Sequence, residues 1–196
     1  MRYSADLTAG ALKVPESRIL ADLMLRGIDD AGWREAIYER NVLQARSLKT
    51  AKRLRTLIRN RLETMTEEIW LLVRDGTGDE ATHACLAAAV KQSNLLGDYL
   101  DLVVREQYRL YADSLPKKQW ERFIDDCRGR DPDMPQWSQS TVQRLRSSVF
   151  QVLAEAGYIE STRTTKLQAV HIARPVLRYL QNHDEKHVLR CIQVGP

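Results

Sequence analysis

Two stretches of this chain carry the same kind of hydrogen-bond donors at helical spacing. Residues 49–65 read KTAKRLRTLIRNRLETM, and residues 140–156 read STVQRLRSSVFQVLAEA. Both contain Thr-x-x-Arg-Leu-Arg. Laying residues 47–64 over 138–155 pairs Ser47 with Ser138, Thr50 with Thr141, Arg53 with Arg144, Leu54 with Leu145, Arg55 with Arg146 and Leu62 with Leu153. At about 100° per residue, Ala51, Leu54, Ile58, Leu62 and Met65 share one face of the first helix. Lys49, Lys52, Arg53, Thr56 and Asn60 lie opposite. In the second helix Val142, Leu145, Val149, Leu153 and Ala156 form the apolar stripe, opposite Ser140, Gln143, Arg144, Ser147 and Gln151. The polar sets are nucleic-acid chemistry: Arg and Lys suit phosphate and guanine, Asn and Gln suit adenine, Ser and Thr suit either. Both faces fit a helix lying in a major groove. An ordinary solvated helix has a similar look.

Other arrangements that could carry chemistry are weaker. His183 and His187 of HDEKH stand four residues apart with Cys191 four further on, a spacing that could hold a metal. Asp184 occupies the position where a zinc peptidase helix needs Glu, and solvated histidines near a helix end are the expected outcome. DGTGD (75–79) is too short for a phosphate loop and follows a helical pattern. Gly-x-Ser-x-Gly is absent. Cys85, Cys127 and Cys191 are odd in number and far apart, which argues for reduced thiols rather than a disulfide framework or zinc finger. We expect no catalysis, no cofactor and no metal.

The charge is segregated. From Arg40 to Leu62 there are eight basic residues and no acid, and from Glu63 to Asp101 eight acids stand against Arg74 and Lys91. A basic block of this kind focuses field on one face and steers a polyanion towards it. The net charge of +4 alone would say little.

The elements that must position these residues read as helices. Pro15 opens one helix and Gly27 closes it. Asp30 can cap a second, with Trp33, Ala36 and Ile37 inward. Ser47 or Lys49 starts the third, completing a helix-turn-helix unit. Residues 66–129 continue as helices: Thr66 is placed to cap, GTGD (76–79) breaks the chain, and Trp120 and Phe123 face inward on a helix starting near Pro116. RGRDPDMPQW (128–137) reads as a linker. Gly157 ends the second donor-bearing helix. YIESTRTTKLQAVHI (158–172) alternates and is β-branched, which predicts a β-hairpin around residues 162–165. Helix followed by hairpin is the order of a winged helix, and Arg163 and Lys166 would sit at the wing tip. Pro175 begins a helix running to about Asn182.

GALKVPESRILADLMLRGIDDAGWREAIYERNVLQARSLKTAKRLRTLIRNRL, followed by LAEAGYIE and ARPVLRYL, resembles the BrxA family, the small subunit of BREX bacteriophage-defence systems. The resemblance covers nearly the whole chain. It implies an all-helical fold similar to the NusB antitermination fold, DNA binding, a bacterial cytoplasmic location and a non-enzymatic role beside a methyltransferase, an ATPase and other BREX components. It supplies no motif-level binding residues.

The expectation is a mainly α protein: an N-terminal helix-turn-helix unit (1–65), a helical middle (66–129) and a C-terminal winged-helix-like unit (130–196). Its partner would be double-stranded DNA, held by Lys49, Lys52, Arg53, Thr56, Asn60, Ser140, Gln143, Arg144, Ser147, Arg163 and Lys166. Two alternatives stay open on the residues: an RNA-binding antitermination-like protein, and a scaffold whose basic face meets an acidic protein partner. No stretch of 18 apolar residues exists to span a membrane, and no apolar leader opens the chain. The pattern does not specify oligomeric state.

Overall fold

Apolar stripes and capping residues divide the chain into ten helices among the described residues, which are 2–194 of a computed structural model. These are α1 (Val14–Leu25), α2 (30–39), α3 (Leu48–Leu62), α4 (Glu67–Asp75), α5 (Gly78–Gln92), α6 (94–109), α7 (Gln119–Arg130), α8 (Gln139–Glu155), α9 (Arg174–Asn182) and α10 (Lys186–Ile192). The chain is mainly helical, as the spacing of its apolar stripes and caps predicts.

The helix ends follow local chemistry. Ser47 and Ser138 accept hydrogen bonds from the backbone N–H groups of Thr50 and Thr141, so the two donor-bearing helices begin with the same cap. Thr77 and Glu80 form a reciprocal capping box at the start of α5. Asp29, one residue before the expected position, caps α2 by accepting from Gly32 N–H. Thr66 precedes α4 but does not cap it through its side chain; its hydroxyl and amide meet the Tyr179 hydroxyl instead. Helix α6 contains a π-helical segment over Tyr99–Val104.

The core is one contiguous cluster to which all parts of the described chain contribute. α5 lies at its centre: Ala84, Leu86, Ala87, Ala88, Ala89 and Val90 are fully buried, and small side chains there admit neighbours on several sides. Tyr99 packs edge-on against Trp120 and Phe123, with ring centroids 5.2 and 5.1 Å away. The N-terminal segment before α1 is a strap across this core. Tyr3 donates to the buried Asp98 (2.6 Å), Ser93 donates to Asp6 (2.6 Å), and Arg61 reaches the carbonyl of Ala11 (2.6 Å).

The expectations for the stretch 128–137 and for the hairpin change as well. The stretch 128–137 is tied down rather than free: the Asp131 carboxylate accepts from the backbone N–H groups of Arg2 and Tyr3, and Met134 is buried. The hairpin expected around 162–165 shrinks to an isolated antiparallel bridge between Ile159 and Leu167. Tyr158 and Gly157 are still closing α8, so the first arm has only two residues with which to build a ladder. The second arm also pairs on its other edge, through Ser114 and Lys166. Thr165, at φ 52°, lies in the turn between Ile159 and the paired residues Lys166 and Leu167.

Candidate nucleic-acid interface

Every residue expected to contact nucleic acid is exposed: Lys49, Lys52, Arg53, Thr56 and Asn60 on α3, Ser140, Gln143, Arg144 and Ser147 on α8, and Arg163 and Lys166 on the turn that follows. Their opposite stripes are in the core. Ala51, Leu54, Ile58 and Leu62 are buried on α3, and Leu145, Val149 and Leu153 on α8, with Val142 half-buried. Arg53 and Arg144 therefore occupy equivalent positions on two capped, amphipathic helices.

The structure separates these cations from others nearby. Arg55 and Arg59 stack on Trp33, each 5.2 Å from the ring centroid, and Arg59 also pairs with Glu63 at 2.6 Å. Arg40 pairs with Glu35. Arg61 is buried, and burial pulls its guanidinium down to about 10. Of the eight basic residues between Arg40 and Leu62, Arg55, Arg59 and Arg61 are engaged with the fold and Arg40 is held in a surface ion pair. Among the described residues, Arg46, Lys49, Lys52 and Arg53 have no ion-pair partner, nor do Arg144, Arg163 and Lys166.

The first turns of α3 and α8 contain no acid. Helix N-termini carry partial positive charge, which Asp or Glu ordinarily offsets. Lys49 instead adds charge there. Both helices thus present an electropositive start followed by an acid-free polar face, up to Glu63 in one case and Glu155 in the other.

The two helices meet one shared support. Arg61, near the end of α3, donates to the Ala11 and Gly10 carbonyls, and Glu155, at the end of α8, accepts from Leu12 N–H at 2.8 Å. Three consecutive strap residues therefore hold the C-terminal ends of both helices. On α8 the turn comes close as well. A groove of about 260 Å³ is lined by Ser147, Arg146, Phe150 and Gln151 from α8, Thr162 from the turn and Lys117 from the segment before α7. Lys117 and Arg146 escaped the sequence reading. The Lys117–Lys118 pair was a visible charge signal, but nothing local tied it to residue 162, which the Ser114–Lys166 bridge brings alongside.

His183, His187 and Cys191 do not lie along one helix. His183 is the residue that follows α9 and Asp184 turns the chain at φ 54°, so His183 is off the helix that carries His187 and Cys191. Among the described residues no group of three or more His, Cys, Asp or Glu is arranged to hold a metal. All three cysteines are buried free thiols.

A profile of the BrxA family matches residues 1–184. The chain belongs to the BrxA family. A BREX protein BrxA from Paramagnetospirillum magneticum is 51% identical over 194 residues, covering 99% of this chain and 98% of that protein. A second BREX protein BrxA, from Escherichia coli O9:H4 (strain HS), is 31% identical over 191 residues, covering 97% and 90%. The crystal structure of an uncharacterized protein from Magnetospirillum magneticum superposes with a TM-score of 0.93 at 49% identity, over 100% of both chains. This BrxA-family fold has no helix, among the described residues, long and apolar enough to cross a membrane.

Proposed function

We propose that this BrxA-family protein is a non-enzymatic, cytoplasmic component of a BREX phage-defence system that binds double-stranded DNA. Helices α3 and α8 supply the contacts through Lys49, Lys52, Arg53, Thr56 and Asn60 and through Ser140, Gln143, Arg144 and Ser147. Arg163 and Lys166 act from the turn after α8 in the manner of a winged helix, and residues 1–65 act as the N-terminal helix-turn-helix unit. The observation that carries the reading is selective pairing. On α3 the arginines nearest the core are stacked, paired or buried, while the outward cations are exposed and have no ion-pair partner among the described residues. Two capped helices held at their ends by one strap give two contacts on one body, so the second engages without a further diffusional encounter.

The test is fluorescence anisotropy of the purified full chain on random and host-derived duplexes at several salt concentrations, with RNA as competitor. Phosphate binding weakens steeply with salt through counterion release. Duplex DNA should compete better than duplex RNA, whose deep, narrow major groove does not admit a helix. Preferential RNA competition would favour the antitermination-like alternative. Absence of nucleic-acid binding, with retention of an acidic protein partner, would favour the scaffold alternative.

A further inference from the structure

We propose that the groove between α8, residue 162 and Lys117 is a seat for one backbone phosphate of the bound nucleic acid, and that Glu121 acts as a built-in competitor for it. The proposal rests on the DNA-binding reading above and assigns it a residue-level site.

The groove combines three elements that are distant in sequence. Lys117 is exposed and has no ion-pair partner among the described residues. Arg146 comes from α8, and Thr162 brings a hydroxyl from the turn. Lys and Arg bind phosphate through charge-assisted bonds, and hydroxyls commonly complete such contacts. The lining also includes Phe150, which is 2% exposed. An apolar surface beside two cations reduces local screening and strengthens their pull on an anion. About 260 Å³ is several times the roughly 30 Å³ share of one water in the liquid, so a phosphodiester group has room.

The surrounding acids decide what is available. Glu155 is occupied by Leu12 N–H and by the Gln151 amide at 3.1 Å. Glu160 accepts from the Thr164 hydroxyl at 3.0 Å. Glu121 alone among these touches a groove cation: its carboxylate pairs with Arg146 at 2.9 Å, and both side chains are part-exposed. An arriving phosphate and Glu121 therefore compete for the same guanidinium. Arg146 is ion-paired in the free protein and gains a second anion, or exchanges one for the other, on binding. This predicts an acid whose removal tightens binding although it lies on neither contact helix face.

The experiment measures anisotropy of a labelled duplex against salt for the full-length wild-type chain and for K117Q, R146Q, E121Q and the double variant E121Q/R146Q, each checked for folding by circular dichroism. K117Q and R146Q should each make the slope of log affinity against log salt shallower by up to about 0.9, the value for one phosphate contact. E121Q should tighten binding by up to about eightfold near 0.1 M salt, the same one-contact scale. The gain should vanish in E121Q/R146Q, because it acts through Arg146. Wild-type slopes for folded K117Q and R146Q would overturn the phosphate seat while leaving DNA binding by α3 and α8 intact. An equal gain from E121Q with or without Arg146 would reduce Glu121 to a general charge effect and overturn the competition. Absence of salt-dependent duplex binding in the wild-type chain would overturn both this site and the DNA-binding reading.

Discussion

Replacing Lys49, Lys52 and Arg53 together by Gln isolates the contribution of α3. All three are exposed and have no ion-pair partner among the described residues, so the folded state loses little. Surface substitutions of this kind change stability by about 0.5 kcal/mol or less each. Removing Lys49 from the first turn also relieves a repulsion with the helix dipole. The binding effect is far larger. Three phosphate contacts contribute about 2.7 to the slope of log affinity against log salt, which near 0.1 M amounts to about 500-fold in affinity. The assay is anisotropy from about 50 to 200 mM salt, the range over which such slopes are measured, with thermal melting as the control. The outcome that refutes the reasoning is a triple variant that melts like wild type and binds duplex with an unchanged slope. Affinity lost without any change in slope would also count against it, because the contacts removed would not be phosphate contacts.

Further outcomes follow from buried groups. The Cys85 and Cys127 thiols are pushed up to about 11 and Cys191 to about 12, chiefly by burial, so a thiol reagent at pH 8 should react slowly with native protein and release three equivalents only after denaturation. His83 is held neutral, its pKa lowered mainly by burial, and its Nδ1 accepts from Ala173 N–H at 3.1 Å. The unfolded chain takes up a proton first as pH falls through 6.5, so stability should be full above that value and decline below it; urea unfolding of H83Q should show a weaker decline between pH 7 and 5. Arg61→Ala should lower the unfolding free energy by about 2 kcal/mol, since it leaves the Ala11 carbonyl without its charged donor, and should speed tryptic cleavage at Lys13 in the released strap. Leu153→Ala, at a fully buried position on α8, should cost about 2–5 kcal/mol in the same unfolding assay.

Much of this protein was legible one element at a time. The Ser-x-x-Thr starts of α3 and α8, the break at Gly76–Thr77 and the closing glycines Gly27 and Gly157 are local chemistry, because a cap satisfies donors within three residues of itself. The apolar stripes placed Leu54, Ile58, Leu145 and Val149 in the core for the same reason: helical period alone puts them on one face. That periodicity also turned Lys49, Lys52, Arg53, Gln143 and Arg144 outward. Contacts between segments far apart in the chain were not legible. Arg61 sits on the same basic run as Arg53, yet only the strap at Gly10–Leu12 makes it a buried structural donor. Arg18 closes the end of α4 by donating to the carbonyls of Arg74 and Gly76, both at 2.7 Å, a cap supplied from 56 and 58 residues away. Asp131 reads as linker but accepts the amides of Arg2 and Tyr3. The alternation at 158–172 suggested a hairpin, but a ladder needs paired length on both arms, and the close of α8 and the second edge at Ser114 left only isolated bridges. Sequence by itself determined the helices and which side of each meets water, since both follow from spacing within a few residues. Tertiary structure alone decided which cations stay unpaired and which residues share the groove at Lys117, because pairing and enclosure depend on neighbours that the fold, not the chain order, brings together.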